Sequence, residues 1–376
     1  MKELFVTCGS SLEGLLFEEL KQLGIPHLRK GFRGVFAPKK MEYVYKINYS
    51  SRIAIRVLWP LIQFPCPDRD ALYSNAKTIA WDQFLKLDQT FSIDANVSHP
   101  KLKHSLFAAL VVKDALCDAF REKCGQRPNV DNKHPYVQFN LFIYKGMATI
   151  SLDTSGEALY KRGYREESTI APLQESLAAA ILFAAGYNKE EILCDPFCGS
   201  GTFLIEAAMI ASQTPAGFFR KTWGFFHHPD FVQEEWLAIK KEADLKKIPL
   251  EKGKIFGADK DPSSLNICVD NLTKTGFNSQ IDLKKEDISR FQPKCFPTLL
   301  VTNPPYGKRL QSFLSTYQLL GDFLRKKENA SLKSFVLAPN KSSIQATGLP
   351  SRPLLSLSNG GLEVELYSLT SRSQRS

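Results

Sequence analysis

The segment ILCDPFCGSGTFLIEAA (Ile192 to Ala208) constrains the fold more than any other stretch of the chain. A short apolar run ends at Asp195, a glycine-rich turn follows, and an apolar helical stretch begins at once. Strand, tight loop and helix in this order are the first step of a parallel sheet, because a parallel neighbour can be reached only through a crossover. Gly199 and Gly201 can take positive φ and let the backbone come close to a ligand. The surrounding sequence repeats the alternation. A helix is expected over LQESLAAAILFAAG, and strands at EILCD, KIFGAD, IDLKK, TLLVTN and LKSFVLA, with helices after most of them. That rhythm predicts an α/β, doubly wound, parallel sheet. Its end departs from the rhythm: PLLSLSNGGLEVELYSL predicts an antiparallel hairpin through Asn359-Gly360.

Three glycine loops compete for Ile192 to Ala208. A phosphate-binding Walker loop needs Gly-Lys-Ser/Thr, and the lysine is absent; a dinucleotide fingerprint needs a third glycine where Leu204 stands. The stretch instead resembles the D-x-F-x-G-x-G loop of class I methyltransferases, a Rossmann-like fold that binds S-adenosylmethionine. The resemblance implies that Asp195, Phe197, Gly199 and Gly201 form the cofactor loop. An acidic strand end suits the α-ammonium group of that cofactor better than it suits a phosphate. GADKD (Gly257 to Asp261) ends the next strand with Asp259, placed to accept from a ribose diol, and the stem of Lys260 stands where an adenine face is expected. Asp287 in KKEDISRF follows the third strand and is assigned to the adenine amino group.

The fourth strand runs into Asn303-Pro304-Pro305-Tyr306, a stiff exit that fits neither a helix nor a central strand. The tetrapeptide resembles the N-P-P-Y motif of methyltransferases that modify exocyclic amino nitrogens. Such an amine is a poor nucleophile because its lone pair is delocalised into the ring. The Asn303 side-chain oxygen and the Pro304 carbonyl can accept its two hydrogens and turn the lone pair outward. The prolines hold both acceptors in place before the reaction. Tyr306 offers a flat face for a base that has left its helix.

The first part of the chain is built differently. Residues 1–43 read β-α-β-β, with Gly24 ending the helix. Residues 44–155 read as a second mixed unit: a helix over MEYVYKINYSS, a strand over RIAIRVLWPLIQF ended by Pro60, a strand over TFSIDANVS, a long helix closed by Gly125, and a hairpin turning at Lys145-Gly146. The charge is uneven. Residues 1–165 hold 24 Lys+Arg against 16 Asp+Glu, whereas the remainder holds 25 against 23. An excess of cations in the leading modules fits a nucleic-acid handle. Between Pro215 and Phe231, aromatics interleave with cations; such rings can stack on unpaired RNA, but more commonly they cover a sheet. His227 and His228 have no acidic or cysteine partner at metal spacing, and no metal is expected. The eight cysteines show no C-x-x-C pair and are expected to be reduced thiols of a cytoplasmic protein. No segment is long and apolar enough for a membrane span, and the start, MKELFVTCGSSLEG, lacks the features of a secretory signal.

Taken together, these motifs resemble the bacterial THUMP-domain methyltransferases that form N2-methylguanosine in 23S ribosomal RNA. The resemblance implies an N-terminal ferredoxin-like region (1–43), a THUMP RNA-binding domain (44–155), and a linker with an S-adenosylmethionine-dependent methyltransferase domain (156–376). It assigns Asn303, Pro304 and Tyr306 to catalysis and places Pro172 and Leu173 of the Ala-Pro-Leu turn beside the cofactor. The implied partner is RNA, either 23S rRNA or a large-subunit assembly intermediate. Some members continue into a second domain making 7-methylguanosine, an activity these residues do not imply. Transfer RNA guanine-N2 methylation, adenine-N6 methylation and a non-catalytic role in ribosome assembly remain as alternative readings.

Overall fold

The structure is a computed structural model and describes residues 2–98, 102, 104–165, 173–305, 310–329 and 331–370. Tyr306 and Pro172, both assigned above, lie outside the described residues. The chain divides into two compact units. One comprises Met1–Cys8, Phe17–Leu159 and Lys221–Lys241; the other comprises Gly9–Leu16, Tyr160–Arg220 and Glu242–Ser376.

In chain order the leading elements are β1 (Glu3–Thr7), α1 (Glu13–Gln22), β2 (Arg29–Gly31), β3 (Gly34–Pro38), α2 (Met41–Ser50), β4 (Arg56–Pro65), α3 (Arg69–Lys77), β5 (Thr90–Ser98), α4 (Ser105–Cys124), β6 (Asn129–Val130), β7 (Val137–Tyr144) and β8 (Met147–Asp153). The strands form one sheet in the order β2-β3-β1-β4-β8-β7-β5-β6. Strand β7 alternates buried and half-buried residues along its whole length, the pattern of a sheet covered on one face. The covering elements are α3 and α4, whose Leu72, Val112 and Leu116 join Trp81, Phe91 and Phe139 in the core. The turn joining β7 to β8 falls at Lys145-Gly146, with φ of 49° and 73°, as a two-residue hairpin requires. Gly24 and Gly125, both at positive φ, follow α1 and α4.

One expectation fails here. Pro60 does not end its strand; β4 continues to Pro65, and its register against β8 shifts between Pro60 and Ile62. A bulge lets a strand pass through proline, because the residue there owes no ladder donor. The Pro60 carbonyl is not wasted, since Lys39 Nζ donates to it at 2.8 Å.

The second unit contains α5 (Glu175–Ala184), β9 (Leu193–Asp195), α6 (Thr202–Ala211), the end of α7 (Gln233–Asp244), β10 (Ile255–Asp259), α8 (Pro262–Thr275), β11 (Asp282–Lys285), β12 (Leu299–Thr302), α9 (Leu310–Arg325), β13 (Lys333–Ala338), α10 (Lys341–Gln345), β14 (Ser351–Asn359) and β15 (Leu362–Leu369). Its sheet has the order β11-β10-β9-β12-β13-β15-β14. The first five strands are parallel, and β15 is antiparallel to both of its neighbours. The hairpin turn is shifted by one residue from the expected place. Asn359 pairs with Leu362, so Gly360 and Gly361, at φ 59° and 87°, make the turn. From β9 the order runs outward through β10 to β11 and then resumes on the other side at β12. The carboxyl ends of β9 and β12 therefore flank the switch point where open α/β sheets bind ligands.

The aromatic segment is split between the units. Trp223, Phe225 and Trp236 are buried, and they meet the rings of Tyr45 and Tyr49 on α2. Phe218 carries Lys247 over its ring at 3.7 Å, and Phe219 meets Tyr164 edge-on. The rings serve packing, and those from Trp223 onward cover a helix of the first unit rather than the parallel sheet. His228 is likewise buried, 4.4 Å from the Trp59 ring, and burial pushes its imidazole down to a pKa of about 4.

Candidate active site

Asp195 is the last residue of β9 and is 1% exposed. Its Oδ1 accepts from Thr302 Oγ1 at 2.5 Å and from the Phe197 N–H at 3.1 Å. Burial pushes this carboxyl up to a pKa of about 7, and the two hydrogen bonds oppose that shift. Thr302 is the last residue of β12, so one hydrogen bond ties the end of the cofactor-loop strand to the start of Asn303-Pro304. Asn303 is half-buried and Pro304 buried immediately beyond it. Thr302 carries no sequence signal beyond a short hydroxyl side chain immediately before the Asn-Pro-Pro exit.

The glycine loop is fixed from three directions. Its Cys198 N–H donates to the Ala258 carbonyl at 2.9 Å, its Gly199 N–H to Asp259 Oδ2 at 3.0 Å, and Asn271 Nδ2 on α8 donates to the Ser200 carbonyl at 3.1 Å. Gly199 and Gly201 both take positive φ, at 52° and 83°. A Cβ on Gly199 would meet nothing within 4 Å, so this face of the loop is open to a ligand. A Cβ on Gly201 would lie 2.5 Å from Cys268 Sγ, so that glycine serves the approach of α8 instead.

Leu204, which excluded the dinucleotide fingerprint, has its counterpart on the adjacent strand. A Cβ on Gly257 of β10 would lie 2.4 Å from Leu204 Cδ1. The close approach of helix and strand that a third glycine gives a dinucleotide site is obtained here with the glycine on the sheet.

Asp259 ends β10, and its two oxygens accept from Gly199 N–H and Asp261 N–H, the latter at 2.9 Å. A carboxylate has about four acceptor positions, so two remain for hydroxyl donors. Burial raises its pKa. Asp261 caps α8 through the Ser263 and Ser264 N–H groups. Asp287 stands two residues beyond β11, half-buried. One of its oxygens accepts from the N–H and the hydroxyl of Ser289, at 3.0 and 2.8 Å, which holds its pKa below the ordinary range. The adjoining Glu286 N–H donates to the Asp259 carbonyl at 3.1 Å, joining the ends of β10 and β11. Lys260 is exposed, and Leu173 is buried.

The connection preceding α5 is also built into this unit. Arg162 and Glu206, both buried, pair at 3.1 and 3.3 Å. Arg165 Nη2 donates to Thr202 Oγ1 at 2.5 Å, and Nη1 lies 3.4 Å from Glu175 Oε1. In sequence both arginines fall in the linker ahead of the methyltransferase domain, and no local pattern marks either as functional.

Comparisons with known proteins agree with this architecture. Residues 162–346 match the family described as RMKL-like, methyltransferase domain; residues 66–153 match the THUMP domain, and residues 3–58 the RlmL ferredoxin-like domain. The ribosomal RNA large subunit methyltransferase K/L of Syntrophotalea carbinolica is 35% identical over 390 residues, covering 99% of this chain and 54% of that protein. A Synechocystis protein named as an RNA methyltransferase is 33% identical, covering 96% of this chain and 95% of its own length. The solved structure of SMU.472, a methyltransferase complexed with SAH, has a TM-score of 0.84 at 26% identity and covers 99% of this chain and 98% of that one. The chain spans about half the length of the K/L relatives it matches.

Proposed function

The chain belongs to the family that joins an RlmL ferredoxin-like domain, a THUMP domain and an RMKL-like methyltransferase domain, and from that premise we propose that it methylates the exocyclic N2 of a guanine in 23S ribosomal RNA with S-adenosylmethionine as cofactor. The observation that carries the reading is the Thr302–Asp195 hydrogen bond, which joins the residue preceding Asn303-Pro304 to the strand end that opens the glycine loop. The loop fits that group: Gly199 presents an open face, Asp195 suits an ammonium, and Asp259 keeps acceptor positions for a ribose. Asp287 would complete the adenine end, and Leu173 would border the cofactor.

Bound S-adenosylmethionine supplies a methyl group on a sulfonium. The chain's own residues do the rest. The Asn303 side-chain oxygen and the Pro304 carbonyl accept the two N–H bonds of the guanine amine and direct its lone pair. The acceptors are set by proline geometry before substrate arrives, so little reorganisation is needed as charge develops. No strong base is required before transfer, because the proton leaves once nitrogen carries the new bond. Tyr306 is assigned to stacking against the extruded base.

We read residues 1–43, 44–155 and 156–376 as ferredoxin-like region, THUMP domain and methyltransferase domain with its linker, the leading basic modules delivering structured RNA in the cytoplasm. Among the described residues no helix is long and apolar enough to cross a membrane. The test is incubation with methyl-labelled cofactor and unmodified 23S rRNA, tRNA and DNA pools, followed by nucleoside analysis and mapping. Label in N2-methylguanosine of 23S rRNA is expected. Label in tRNA or in N6-methyladenosine would move the substrate, and no transfer together with no cofactor binding would favour an assembly factor.

A further inference from the structure

We propose that the first unit binds unpaired RNA by stacking bases on a file of aromatic rings, Phe142, Tyr144 and Phe32, an inference that rests on the RNA reading above. Along β7, Val137, Phe139, Leu141 and Ile143 join the core beneath α3 and α4, so Gln138, Asn140, Phe142 and Tyr144 face the other way. The rings of Phe142 and Tyr144 lie 6.1 Å apart at 26°. Tyr144 in turn lies 5.3 Å from Phe32, in the turn between β2 and β3, with the two planes only 4° apart. Phe32 is 56% exposed and forms the outer end of the file. The residues paired with Phe142 are Asn96 and Thr149, and those paired with Tyr144 are Ser98 and Met147. Asn96, Ser98 and Met147 are exposed, so the strip around the rings is open.

A single exposed ring is ordinary on a protein surface. Parallel rings filed on an open sheet face, ending in a phenylalanine with no polar handle, ask for a flat partner. The charge says which one. Lys145 Nζ stands 5.3 Å from the Tyr144 ring centre, and Lys30 and Arg33 bracket Phe32 in its turn. Asp94, exposed two residues before Asn96 on β5, is the carboxylate on the same face. The wider surface leans the same way, through the excess of cations over carboxylates in residues 1–165. A nucleotide offers both a flat face and a negative backbone, and every base has a π-face, so such a file binds with little regard to sequence. The base must be unpaired, because a duplex keeps its faces inside its own stack. The aromatics after Pro215, the first suspects from composition, are taken up by packing, and these earlier rings are the ones left open.

The test measures binding of fluorescein-labelled oligoadenylate and of a labelled RNA duplex to the full chain by anisotropy, over a series of salt concentrations. The wild type should bind both. Phe32→Ala and Tyr144→Ala should each weaken oligoadenylate by about 5–100-fold, the range for losing one base–aromatic stack, and change the duplex by less than about twofold. The slope of log affinity against log salt should stay at its wild-type value, because no phosphate contact is removed. Phe32→Leu, which keeps apolar bulk without a flat face, should lose as much as the alanine variant, and Phe32→Tyr should bind like the wild type. Wild-type affinity in Phe32→Leu would overturn stacking. Equal losses on oligoadenylate and duplex would overturn it too, by reducing the rings to packing, and a slope that falls with the affinity would assign the loss to phosphate contacts instead. A wild type that binds the duplex but not oligoadenylate would overturn the inference while leaving the RNA reading intact. A wild type that binds neither would overturn that reading first.

Discussion

Gly257→Ala tests how the cofactor loop is held against the sheet. Gly257 is paired in register with Asp195 on the neighbouring strand, beneath the first turn of α6. Its new methyl would lie 2.4 Å from Leu204 Cδ1, 3.0 Å from Leu283 Cδ2 and 3.3 Å from Cys198 Cβ. Aliphatic carbons rest about 3.5–4.0 Å apart, so Leu204 alone would have to retreat by more than about 1 Å. Leu204 is fully buried, and retreat means either a strained rotamer or a shift of α6 together with its loop. Overpacking of this kind costs about 1–3 kcal/mol. Leu204→Ala alone should cost about 2–5 kcal/mol through the cavity it leaves. The double variant should be more stable than the sum of the two by at least about 1 kcal/mol, because the added methyl fills space that the leucine vacates. Far-UV circular dichroism is the appropriate signal for the denaturant titrations. The four tryptophans, Trp59, Trp81, Trp223 and Trp236, all belong to the first unit and do not report on this one. Strict additivity, within about 0.5 kcal/mol, would refute the claim that Gly257 exists to admit Leu204.

Three further outcomes are expected. Asp195 has a folded pKa of about 7 against an ordinary 3.8, so its contribution to stability is full below about pH 4 and lost as pH rises towards 7; a cofactor ammonium favours its ionised form, and calorimetry at pH 6 in buffers of different ionisation enthalpy should show proton release that Asp195→Asn abolishes. Asn303→Ala should lower the single-turnover methylation rate by about 10²–10³ with little change in cofactor affinity; a near-wild-type rate would reduce Asn-Pro-Pro-Tyr to a rigid turn. Asp259→Ala removes an acceptor from the Gly199 N–H as well as from a ribose and should weaken cofactor binding by about 1–3 kcal/mol; an unchanged dissociation constant would withdraw the ribose assignment.

What the sequence disclosed follows the range of the interactions involved. The β-α alternation after residue 173, the positive-φ glycines of the cofactor loop and the Lys145-Gly146 turn depend on local patterning, and each stands where the pattern puts it. Pro60 misled because proline's local veto on strands is lifted by a bulge, and a bulge is a property of the paired strand β8 as much as of β4. The hairpin turn moved from Asn359-Gly360 to Gly360-Gly361 because register against β15 chose between two acceptable dipeptides. The tie from Thr302 to Asp195 and the reach of Arg165 to Thr202 span 107 and 37 residues, and no spacing rule connects such positions. The aromatics after Pro215 were ambiguous for the same reason. Their composition fits stacking on a base as well as it fits packing, and the partners that decide, Tyr45 and Tyr49, lie far earlier in the chain.

The return of Lys221–Lys241 to the first unit has a consequence for how the protein is made. A ribosome delivers residues in order, and domains commonly fold as they emerge. Here the front half cannot finish when Leu159 appears. The faces of Tyr45 and Tyr49 wait for Phe225 and Trp236, whose rings settle 5.1 and 5.4 Å from them, and the Tyr45 hydroxyl waits to accept from the Val232 N–H at 2.9 Å. By then β9 and α6, the strand and helix that carry the cofactor loop, have already been synthesised. The nascent chain therefore completes its first unit only after the first part of its second unit exists. A product that stalls or is cut between Leu159 and Lys221 leaves an apolar face uncovered, a target for quality control rather than a finished first unit.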